Sequence, residues 1–338
     1  MPADLNVDNR RPSDAGLETA LTLFRWMVLS RSLEDRLYAL FRQGRLHGRL
    51  ISGRGQEAIP VAVTLATRTE DVVCPVHRDL GAHLVRGTRP ETVLLHYLGR
   101  SDGPSRGRDG DIHFGEWSRG VFPMVSHLPD SWPVSVGIAM AASLRRKPRV
   151  VVAFCGDGAT SAGAWHESLN FASVFQTPNV FVVENNHYAY STPTPRQYRI
   201  AELVDRAAAY GIPGVRVDGN DALAVHAAAV QAISLAREGG GPTLIEAVTM
   251  RMDGHAAHDG ASYVPAELLE DWRRRDPIDR LAGELRQQGI PEDDLQEIRT
   301  SANRRIEQAL RAAEAAPLPE ARLLEDGVYA AGAANPRA

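Results

Sequence analysis

Two polar segments with the chemistry to bind a cation and an anion follow neighbouring apolar runs in this sequence. Gly156-Asp157-Gly158 comes directly after the run 149–155, and Asn186 and Tyr188 follow the run 179–183. A carboxylate about 5 Å from a phosphate repels it by roughly 3 kcal/mol, so an aspartate here suits a phosphate only through a bridging cation. Magnesium takes one or two protein carboxylates together with phosphate oxygens and water. Asp157, the Asn186 amide oxygen and the Tyr188 carbonyl are therefore a candidate magnesium–phosphate site.

Other interpretations of the same residues stay open. A Gly-Asp-Gly sequence is also common in an ordinary strand-to-helix turn, since glycine relaxes the backbone. The dinucleotide fingerprint Gly-x-Gly-x-x-Gly is not met, because Ser161 holds the third glycine position. Glu184, however, ends the next strand, where a ribose-binding acid would lie. A nicotinamide-dependent enzyme and a non-catalytic protein that keeps the fold are therefore the alternatives.

Two further polar segments follow predicted strands. His77-Arg78 comes after the run 71–75, and Arg251 and His255 come after the run 243–250. Ligands of open α/β sheets bind beyond the carboxyl ends of the strands, so we expect all these segments to meet in one crevice. Taken alone, Arg78 could be a surface ion pair.

A zinc site is a weaker interpretation of the last segment. His255 and His258 have the spacing of a ligand pair with Asp259, but no third histidine or cysteine has suitable spacing.

A repeated strand–helix pattern positions these segments. The apolar run 149–155, the helical pattern 163–175 and the run 179–183 form a βαβ unit with two parallel strands. Within the helix, Trp165, Leu169 and Phe171 are predicted to pack in the core. The pattern continues with helices over 201–210 and 222–237 and strands over 215–217 and 243–250. The sequence therefore predicts an α/β fold, a doubly wound, mostly parallel sheet with helices on both faces and a helical C-terminal extension.

Composition sets the broad class of the protein. The chain has 338 residues, of which 43% are apolar and 24% charged, an ordinary globular composition that excludes whole-chain disorder. A net charge of −4 gives no electrostatic argument for nucleic acid. The two cysteines, Cys74 and Cys155, are too few for a secreted disulfide framework and indicate a reducing cytoplasm. No apolar run approaches the ~18 residues of a membrane-spanning helix.

The domain organisation is predicted as one domain with two extensions. Residues 1–14 are polar and are expected to form a flexible N-terminal arm. The α/β domain is expected to span 15–315, and an Ala/Pro-rich tail 316–338.

The central segments resemble a known family. GDGATSAGAWHESLNFASVF followed by VFVVENNHYAYSTPT is similar to the thiamine diphosphate motif. From about Phe24 to Ala315 the chain resembles the alpha subunit of the decarboxylating first component of 2-oxo acid dehydrogenase complexes, the family of the pyruvate, branched-chain and acetoin enzymes. Further segments in family order are GQEAIPVA, HRDLGAHLVRG, DIHF, PMVSHLPDSWPVSVG, VRVDGNDALAV and TLIEAVTMRMDGHAAHDGASY. The resemblance implies the thiamine diphosphate-binding fold.

The resemblance implies roles for the diphosphate end of the cofactor. Asp157, Asn186 and the Tyr188 carbonyl would hold magnesium on the diphosphate, and the main-chain N–H groups of Gly158 and Ala159 would contact phosphate oxygens. Arg78 matches an arginine that contacts the diphosphate, for which its planar guanidinium is suited. His77 stands where the family usually has tyrosine and is also expected to contact the cofactor.

The resemblance also implies roles for the rest of the cofactor. Ser126 and Leu128 match positions whose main chain meets the aminopyrimidine ring, although Pro129 follows them here. Arg251 and His255 match a mobile loop that is phosphorylated in mammalian relatives, where the histidine meets cofactor and substrate. His255 is therefore the predicted catalytic residue. Ala256 and Ala257 follow it, so the hydroxyls that accept the phosphate are missing and no such switch is expected.

The function implied is thiamine diphosphate-dependent oxidative decarboxylation of a 2-oxo acid, with acyl transfer to a lipoyl group. The family's enzymes contain two alpha and two beta subunits, and the beta subunit supplies the glutamate that activates the cofactor. Predicted partners are therefore a beta subunit and a lipoyl acyltransferase core. The segments STPT and VDGND are slightly closer to branched-chain enzymes, while pyruvate and acetoin remain open as substrates.

Overall fold

The computed structural model of the chain describes residues 14–46 and 48–326. The predicted N-terminal arm therefore lies outside the described residues except for Asp14, where the first helix begins. Of the predicted C-terminal tail, residues 327–338 also lie outside. The described part of that tail contacts the rest of the chain, since the Pro317 carbonyl accepts a hydrogen bond of 3.0 Å from the main-chain nitrogen of Ser101.

A parallel sheet lies at the centre of the fold. The strands in chain order are β1 Val72–Cys74, β2 Val151–Gly156, β3 Asn179–Asn185, β4 Tyr188–Ala189, β5 Thr192–Pro193, β6 Gly214–Asp218 and β7 Thr243–Val248. Five of them form one sheet in the order β1-β2-β3-β7-β6, with every neighbouring pair parallel. The remaining two, β4 and β5, form a small antiparallel hairpin just after β3. The polar segments that follow β1, β2, β3 and β7 therefore leave the sheet at the same edge.

Helices cover the sheet and extend beyond it. They are α1 Asp14–Arg42, α2 Ala58–Leu65, α3 Leu80–Val85, α4 Pro90–Tyr97, α5 Ser131–Leu144, α6 Gly163–Phe175, α7 Arg206–Ala209, α8 Ala222–Arg237, α9 Ala266–Arg273, α10 Pro277–Gln287 and α11 Glu292–Ala315. Their starts follow local capping rules. The Asp221 side chain accepts from the Ala224 N–H at the start of α8, and Asp276 caps α10, with Pro277 at its first position.

Both faces of the sheet are buried under apolar side chains. Val152 and Phe154 of β2 point into a core shared with α1, α2 and α8. Val151 and Ala153 point into a second core with α5 and α6, where Trp165 belongs. Alternate residues of one strand thus serve two cores, as a doubly wound sheet requires. The predicted fold class is confirmed.

Some predicted elements differ from the structure. The helix predicted over 201–210 is only α7, preceded by a 3₁₀ turn at Leu203–Asp205, because the main chain of Val204 is held by the Glu246 carboxylate at 2.9 Å. Phe171 is 46% exposed, so its predicted core position is wrong. In the C-terminal region the chain breaks twice, once between α9 and α10 and once between α10 and α11.

No helix in the described residues is both long enough and apolar enough to span a membrane.

Candidate active site

A cavity of about 370 Å³ opens beyond the carboxyl ends of β1, β2 and β3. Most of the predicted site residues line it, namely His77, Arg78, Leu128, Asp157, Gly158, Ala159, Asn186, Tyr188 and His255. They come from five separate chain segments. The expectation that these segments meet in one crevice is confirmed.

Asp157 lies at the floor of this cavity and is almost fully buried, with 1% of its surface exposed. Its Oδ1 accepts a hydrogen bond of 3.3 Å from the main-chain nitrogen of Asn186, and its Oδ2 accepts one of 2.7 Å from Gln197. Burial raises the pKa of Asp157 to about 6, against the lowering effect of these hydrogen bonds. The carboxyl is therefore mostly ionised at neutral pH and supplies one negative charge to the cavity.

Two more oxygens lie close to Asp157. The side-chain oxygen of Asn186 is 3.1 Å from Asp157 Oδ1 and 3.1 Å from the main-chain oxygen of Tyr188, while its amide nitrogen donates to Gln56 Oε1 at 3.1 Å. Turning this amide by 180° would make hydrogen bonds of both oxygen contacts, the arrangement expected with no cation nearby. Neighbouring ligands of an octahedral magnesium ion are about 2.9 Å apart. In the orientation that turns the amide oxygen of Asn186 toward them, its distances to Asp157 and Tyr188 are thus close to those between neighbouring magnesium ligands.

The segment after Asp157 approaches the β4–β5 hairpin closely. Gly158 and Ala159 belong to a 3₁₀ turn that spans Asp157–Ser161. A β-carbon on Gly158 would lie only 2.6 Å from the β-carbon of Ala189, so any larger residue would clash. The main chain of Gly158 therefore lines the cavity with no side chain in front of it.

Arg78 brings a positive charge into the same cavity. It is 6% exposed, and its guanidinium donates to the Ser52 carbonyl at 2.6 Å and the His255 carbonyl at 3.0 Å. Burial, and then the charge of Arg251, lower its pKa to about 10, so it is still protonated at pH 7. Across the described chain no carboxylate forms an ion pair with Arg78. Its interpretation as a surface ion pair is therefore wrong, and its charge is available to an anion in the cavity.

Two neighbouring histidine rings line the cavity. The ring centroids of His77 and His255 are 6.2 Å apart. Burial and the neighbouring Arg78 lower the pKa of His255 to about 4 and that of His77 well below its usual value. Both rings are therefore neutral at pH 7, and each can accept or donate a hydrogen bond without carrying charge.

Arg251 and Ser126 are not among the described residues that line the cavity. Arg251 lies behind His255, where its guanidinium donates to the Tyr263 hydroxyl at 2.6 Å and to the Tyr190 carbonyl. Ser126 is exposed, and its hydroxyl lies 2.5 Å from Nε2 of His113. A direct contact of either residue with the cofactor therefore stays a prediction.

Hydrogen bonds within the loop that carries His255 hold its conformation. Asp259 accepts from the main-chain nitrogen of His255 at 2.7 Å and from the Tyr263 hydroxyl at 2.6 Å. Burial alone would raise the pKa of Asp259, but the hydrogen bonds from Tyr263, Ala261 and His255 together outweigh it and lower the pKa to about 2. No group of three or more histidine, cysteine, aspartate or glutamate side chains fit to hold a metal ion occurs in 14–46 and 48–326. The zinc interpretation of His255, His258 and Asp259 is therefore not supported.

Several residues of the site had no assigned function in the sequence. Tyr190 lines the cavity 4.3 Å from the His255 ring, and Gln56 bridges Asn186 and Glu184. Glu184 and Asp79 are a buried pair in which burial raises both pKa values, that of Asp79 to about 7. Glu184, which the sequence offered as a ribose-binding acid, lines the cavity, but one of its oxygens already accepts a hydrogen bond of 2.9 Å from Gln56.

Comparison with known proteins agrees with this geometry. A family model described as the dehydrogenase E1 component matches residues 25–322. The alpha subunit of acetoin:2,6-dichlorophenolindophenol oxidoreductase from Cupriavidus necator is 37% identical over 314 residues, covering 92% of this chain and 94% of that protein. The 3-methyl-2-oxobutanoate dehydrogenase subunit alpha from Mycobacterium tuberculosis is 40% identical over 313 residues, covering 90% and 81%. The pyruvate dehydrogenase E1 component subunit alpha from Porphyra purpurea is 33% identical over 318 residues, covering 92% of each chain.

The fold and the site therefore define a cofactor-dependent α/β enzyme subunit. The chain belongs to the dehydrogenase E1 component family. It is a homologue of the E1 alpha subunits of acetoin, branched-chain 2-oxo acid and pyruvate dehydrogenases. Membership of this family implies thiamine diphosphate as the cofactor and confirms the resemblance found in the sequence.

Proposed function

We propose that the chain is the alpha subunit of a 2-oxo acid dehydrogenase and that its cavity holds the magnesium–diphosphate end of thiamine diphosphate. The observation that carries the proposal is the pairing of opposite charges in one cavity. Oxygens of Asp157, Asn186 and Tyr188 converge with the spacing of magnesium ligands, and the buried guanidinium of Arg78 lines the same cavity without a carboxylate partner among the described residues. A magnesium diphosphate has both the cation and the anion that this arrangement requires.

Each side chain then has a defined task. Asp157, Asn186 and the Tyr188 carbonyl bind magnesium, while Arg78 and the main-chain N–H groups of the turn after Asp157 bind phosphate oxygens. Bound thiamine diphosphate supplies the carbanion chemistry that cleaves the bond between the 2-oxo and carboxyl carbons.

His255 acts at the cavity mouth. Its imidazole is neutral at pH 7, because Arg78 and burial lower its pKa to about 4. A neutral ring can donate a hydrogen bond to a substrate oxygen and accept one at its other nitrogen, according to its tautomer. The His77 ring lies next to it, with the two ring centroids 6.2 Å apart, and can position a cofactor oxygen in the same way.

The substrate is proposed to be a branched-chain 2-oxo acid or pyruvate, with the acyl group passed to a lipoyl group of an acyltransferase core. Acetoin is the alternative substrate. The named relatives include enzymes for each of these substrates, so their names do not discriminate.

A beta subunit is the proposed partner, in an assembly of two alpha and two beta subunits. The relatives are named as alpha subunits. Three large apolar side chains of α6, namely Phe171, Val174 and Phe175, are 46%, 68% and 52% exposed. Adjacent exposed aromatic residues of this kind mark protein–protein contact surfaces. The proposed compartment is the cytoplasm, on the basis of the two free, buried cysteines.

One experiment tests the proposal. The chain is co-expressed with a beta subunit, and thiamine diphosphate binding is measured by calorimetry with and without magnesium. Turnover of pyruvate, 3-methyl-2-oxobutanoate and acetoin is then measured with an artificial electron acceptor. We expect binding that requires magnesium, and turnover only when both subunits are present. Binding of NADH in place of thiamine diphosphate would contradict the proposal and favour the nicotinamide alternative.

A further inference from the structure

Gln197 is the residue that holds the second oxygen of Asp157. Its Nε2 donates to Asp157 Oδ2 at 2.7 Å and to the main-chain oxygen of Thr192 at 2.9 Å. Both hydrogens of the amide are therefore used, one on the carboxylate and one on the hairpin. Since the amide nitrogen can make no third hydrogen bond, its orientation is fixed.

The main chain of Gln197 is also held in place by a hydrogen bond. Its main-chain nitrogen donates to the Thr194 carbonyl at 2.9 Å, at the end of the 3₁₀ turn Thr194–Arg196. This turn follows β5, and β5 pairs with β4, which carries Tyr188. One short hairpin therefore carries both a proposed magnesium ligand and the group that holds Asp157.

The two oxygens of Asp157 consequently have different environments. Oδ2 accepts a hydrogen bond of 2.7 Å from the Gln197 side chain, while Oδ1 accepts a longer one of 3.3 Å from the main-chain nitrogen of Asn186 and lies 3.1 Å from the side-chain oxygen of Asn186. A free carboxylate can rotate about its Cβ–Cγ bond and present either oxygen, or both, to a cation. In this arrangement only Oδ1 is directed at the proposed metal position.

We propose that Gln197 is a positioning residue that makes Asp157 a one-oxygen ligand and thereby selects magnesium over calcium; this inference rests on the proposed magnesium–diphosphate function of the cavity. Magnesium requires near-ideal octahedral geometry with ligands at about 2.0–2.1 Å, whereas calcium accepts six to eight ligands and often binds both oxygens of a carboxylate. Holding Oδ2 away from the cation therefore favours the smaller ion.

The size of the effect follows from the behaviour of groups that orient metal ligands. Removing such a partner typically weakens metal affinity by about 10- to 100-fold. Calcium should lose much less, because a released carboxylate can bind it through both oxygens. The ratio of the two affinities is thus the diagnostic quantity, since a general loss of structure would weaken both metals alike.

The test uses the assembled enzyme with its beta subunit and the variant Gln197→Met, which keeps the length of the side chain and removes its donor. Thiamine diphosphate binding is followed by calorimetry while magnesium or calcium is titrated, and thermal unfolding is recorded without metal. Gln176→Met is the control, because Gln176 also donates to a main-chain carbonyl, that of Ser173, but lies at the end of α6.

We expect Gln197→Met to weaken magnesium about 10- to 100-fold, to change calcium by less than about threefold, and to leave the unfolding midpoint close to that of the control. An unchanged magnesium affinity, or an equal loss for both metals, would overturn the role of Gln197. If the unsubstituted enzyme binds thiamine diphosphate without any divalent cation, the proposed function of the cavity fails as well. The two failures are therefore distinguishable.

Discussion

The guanidinium of Arg78 donates a hydrogen bond of 3.0 Å to the main-chain oxygen of His255, a residue 177 positions later in the chain. The same group also donates to the Ser52 carbonyl. One buried side chain thus joins the loop before α2, the end of β1 and the loop after β7. The charge that is proposed to bind the diphosphate also holds the loop of the predicted catalytic histidine.

Replacing Arg78 by lysine should separate charge from geometry. Lysine keeps the positive charge but loses the planar set of donors that contacts two carbonyls and an anion. Because hydrogen bonds to charged groups contribute about 1.5–3 kcal/mol, we expect thiamine diphosphate affinity to fall about 10- to 100-fold in calorimetry. Arg86→Lys is the control, since Arg86 also donates to carbonyls, those of Arg68 and Thr69, away from the cavity. Equal losses in both variants would contradict the assignment.

The approach of Gly158 to Ala189 predicts a rescue experiment. Gly158→Ala places a β-carbon 2.6 Å from that of Ala189, so the turn or the β4–β5 hairpin, both of which line the cavity, must shift. We expect weaker cofactor binding in Gly158→Ala and recovery in the double variant with Ala189→Gly, where the contact relaxes to the 3.1 Å distance from the Ala189 α-carbon. Binding titrations on the three variants measure this coupling. A double variant no better than the single one would show that the clash is not the cause.

Asp157→Asn should abolish magnesium-dependent cofactor binding. The variant keeps the size of the side chain and removes the one carboxylate of the proposed ligand set, and Asn186→Ala should act in the same direction. Calorimetry with and without magnesium measures the loss, and circular dichroism checks the fold. Asp205→Asn, at an exposed position, is the control. Undiminished affinity in Asp157→Asn would rule out the metal assignment.

The parallel sheet and the helices that join its strands could be predicted from the sequence. Strands such as β2 are continuous apolar runs, and Trp165, Leu169 and Ala172 recur at helical spacing in α6. These patterns are local, because burial on a face imposes them directly. Phe171 shows the limit, since its place in the helix turns it away from that face, to 46% exposure.

Helix α5 lacked such a pattern. Ser131–Leu144 contains Pro133 and Gly137 and many small residues, which weaken the usual helical signals. It forms because the Trp132 ring packs in the second core against Trp165 of α6 and Phe181 of β3, with ring centroids 5.7 and 4.6 Å away.

The site residues that could not be predicted from the sequence are ones that hold other site residues in place. Gln56 and Gln197 contact Asn186 and Asp157, which are distant in sequence. No spacing rule connects them, so only the assembled fold shows these contacts. The proposed metal ligands, by contrast, belong to short segments that follow strands and could be named in advance.

The predicted catalytic role of His255 has a direct test. His255→Ala should reduce turnover by at least about 100-fold, since general acid–base groups typically contribute 10²- to 10⁴-fold, while thiamine diphosphate still binds. Steady-state assays with the beta subunit measure this loss. His258→Ala, three residues later and exposed, should keep near-normal turnover. Near-normal turnover in His255→Ala would remove this residue from the mechanism.

The effect of a negative charge in the His255 loop can be tested by substitution, and the choice of position matters. Ala256 is 3% exposed, so a glutamate there would bury a charge and disturb folding as well as function. The exposed His258 is better suited. We expect His258→Glu to lower turnover, because it adds a negative charge three residues after the predicted catalytic His255. The loss should be larger at low salt, where surface charges are less screened. If His258→Glu turned over as fast as His258→Ala at every salt concentration, the expected effect of the charge would be contradicted.

The stability of the chain should fall in acid because of His83. This side chain of α3 is fully buried, its ring centroid lies 5.0 Å from that of Phe114, and neither ring nitrogen has a hydrogen-bond partner among the described residues. Burial, and then His96, lower its pKa to about 4. Below an unfolded pKa of about 6.5, the unfolded chain takes up a proton that the folded chain refuses, so stability falls as the pH falls from 6.5 to 4.

His83→Phe should remove this dependence. Lowering the pH from 7 to 5 should reduce the free energy of unfolding of both proteins. The reduction should be smaller in the variant, by up to about 2 kcal/mol. Urea unfolding at the two pH values measures the difference. His258→Asn, at an exposed position, serves as the control. Parallel pH curves for His83→Phe and the unsubstituted chain would contradict the prediction.

The burial of both cysteines has a practical consequence for labelling. Cys74 and Cys155 are the chain's two cysteines, both lie in the second core with no exposed surface, and burial raises the pKa of each thiol. Because the thiolate is the form that reacts with maleimides, neither should react while the chain is folded. A single cysteine introduced by Phe175→Cys would then be the one reactive thiol. A fluorophore attached there would report directly whether the exposed end of α6 becomes covered when another subunit is added.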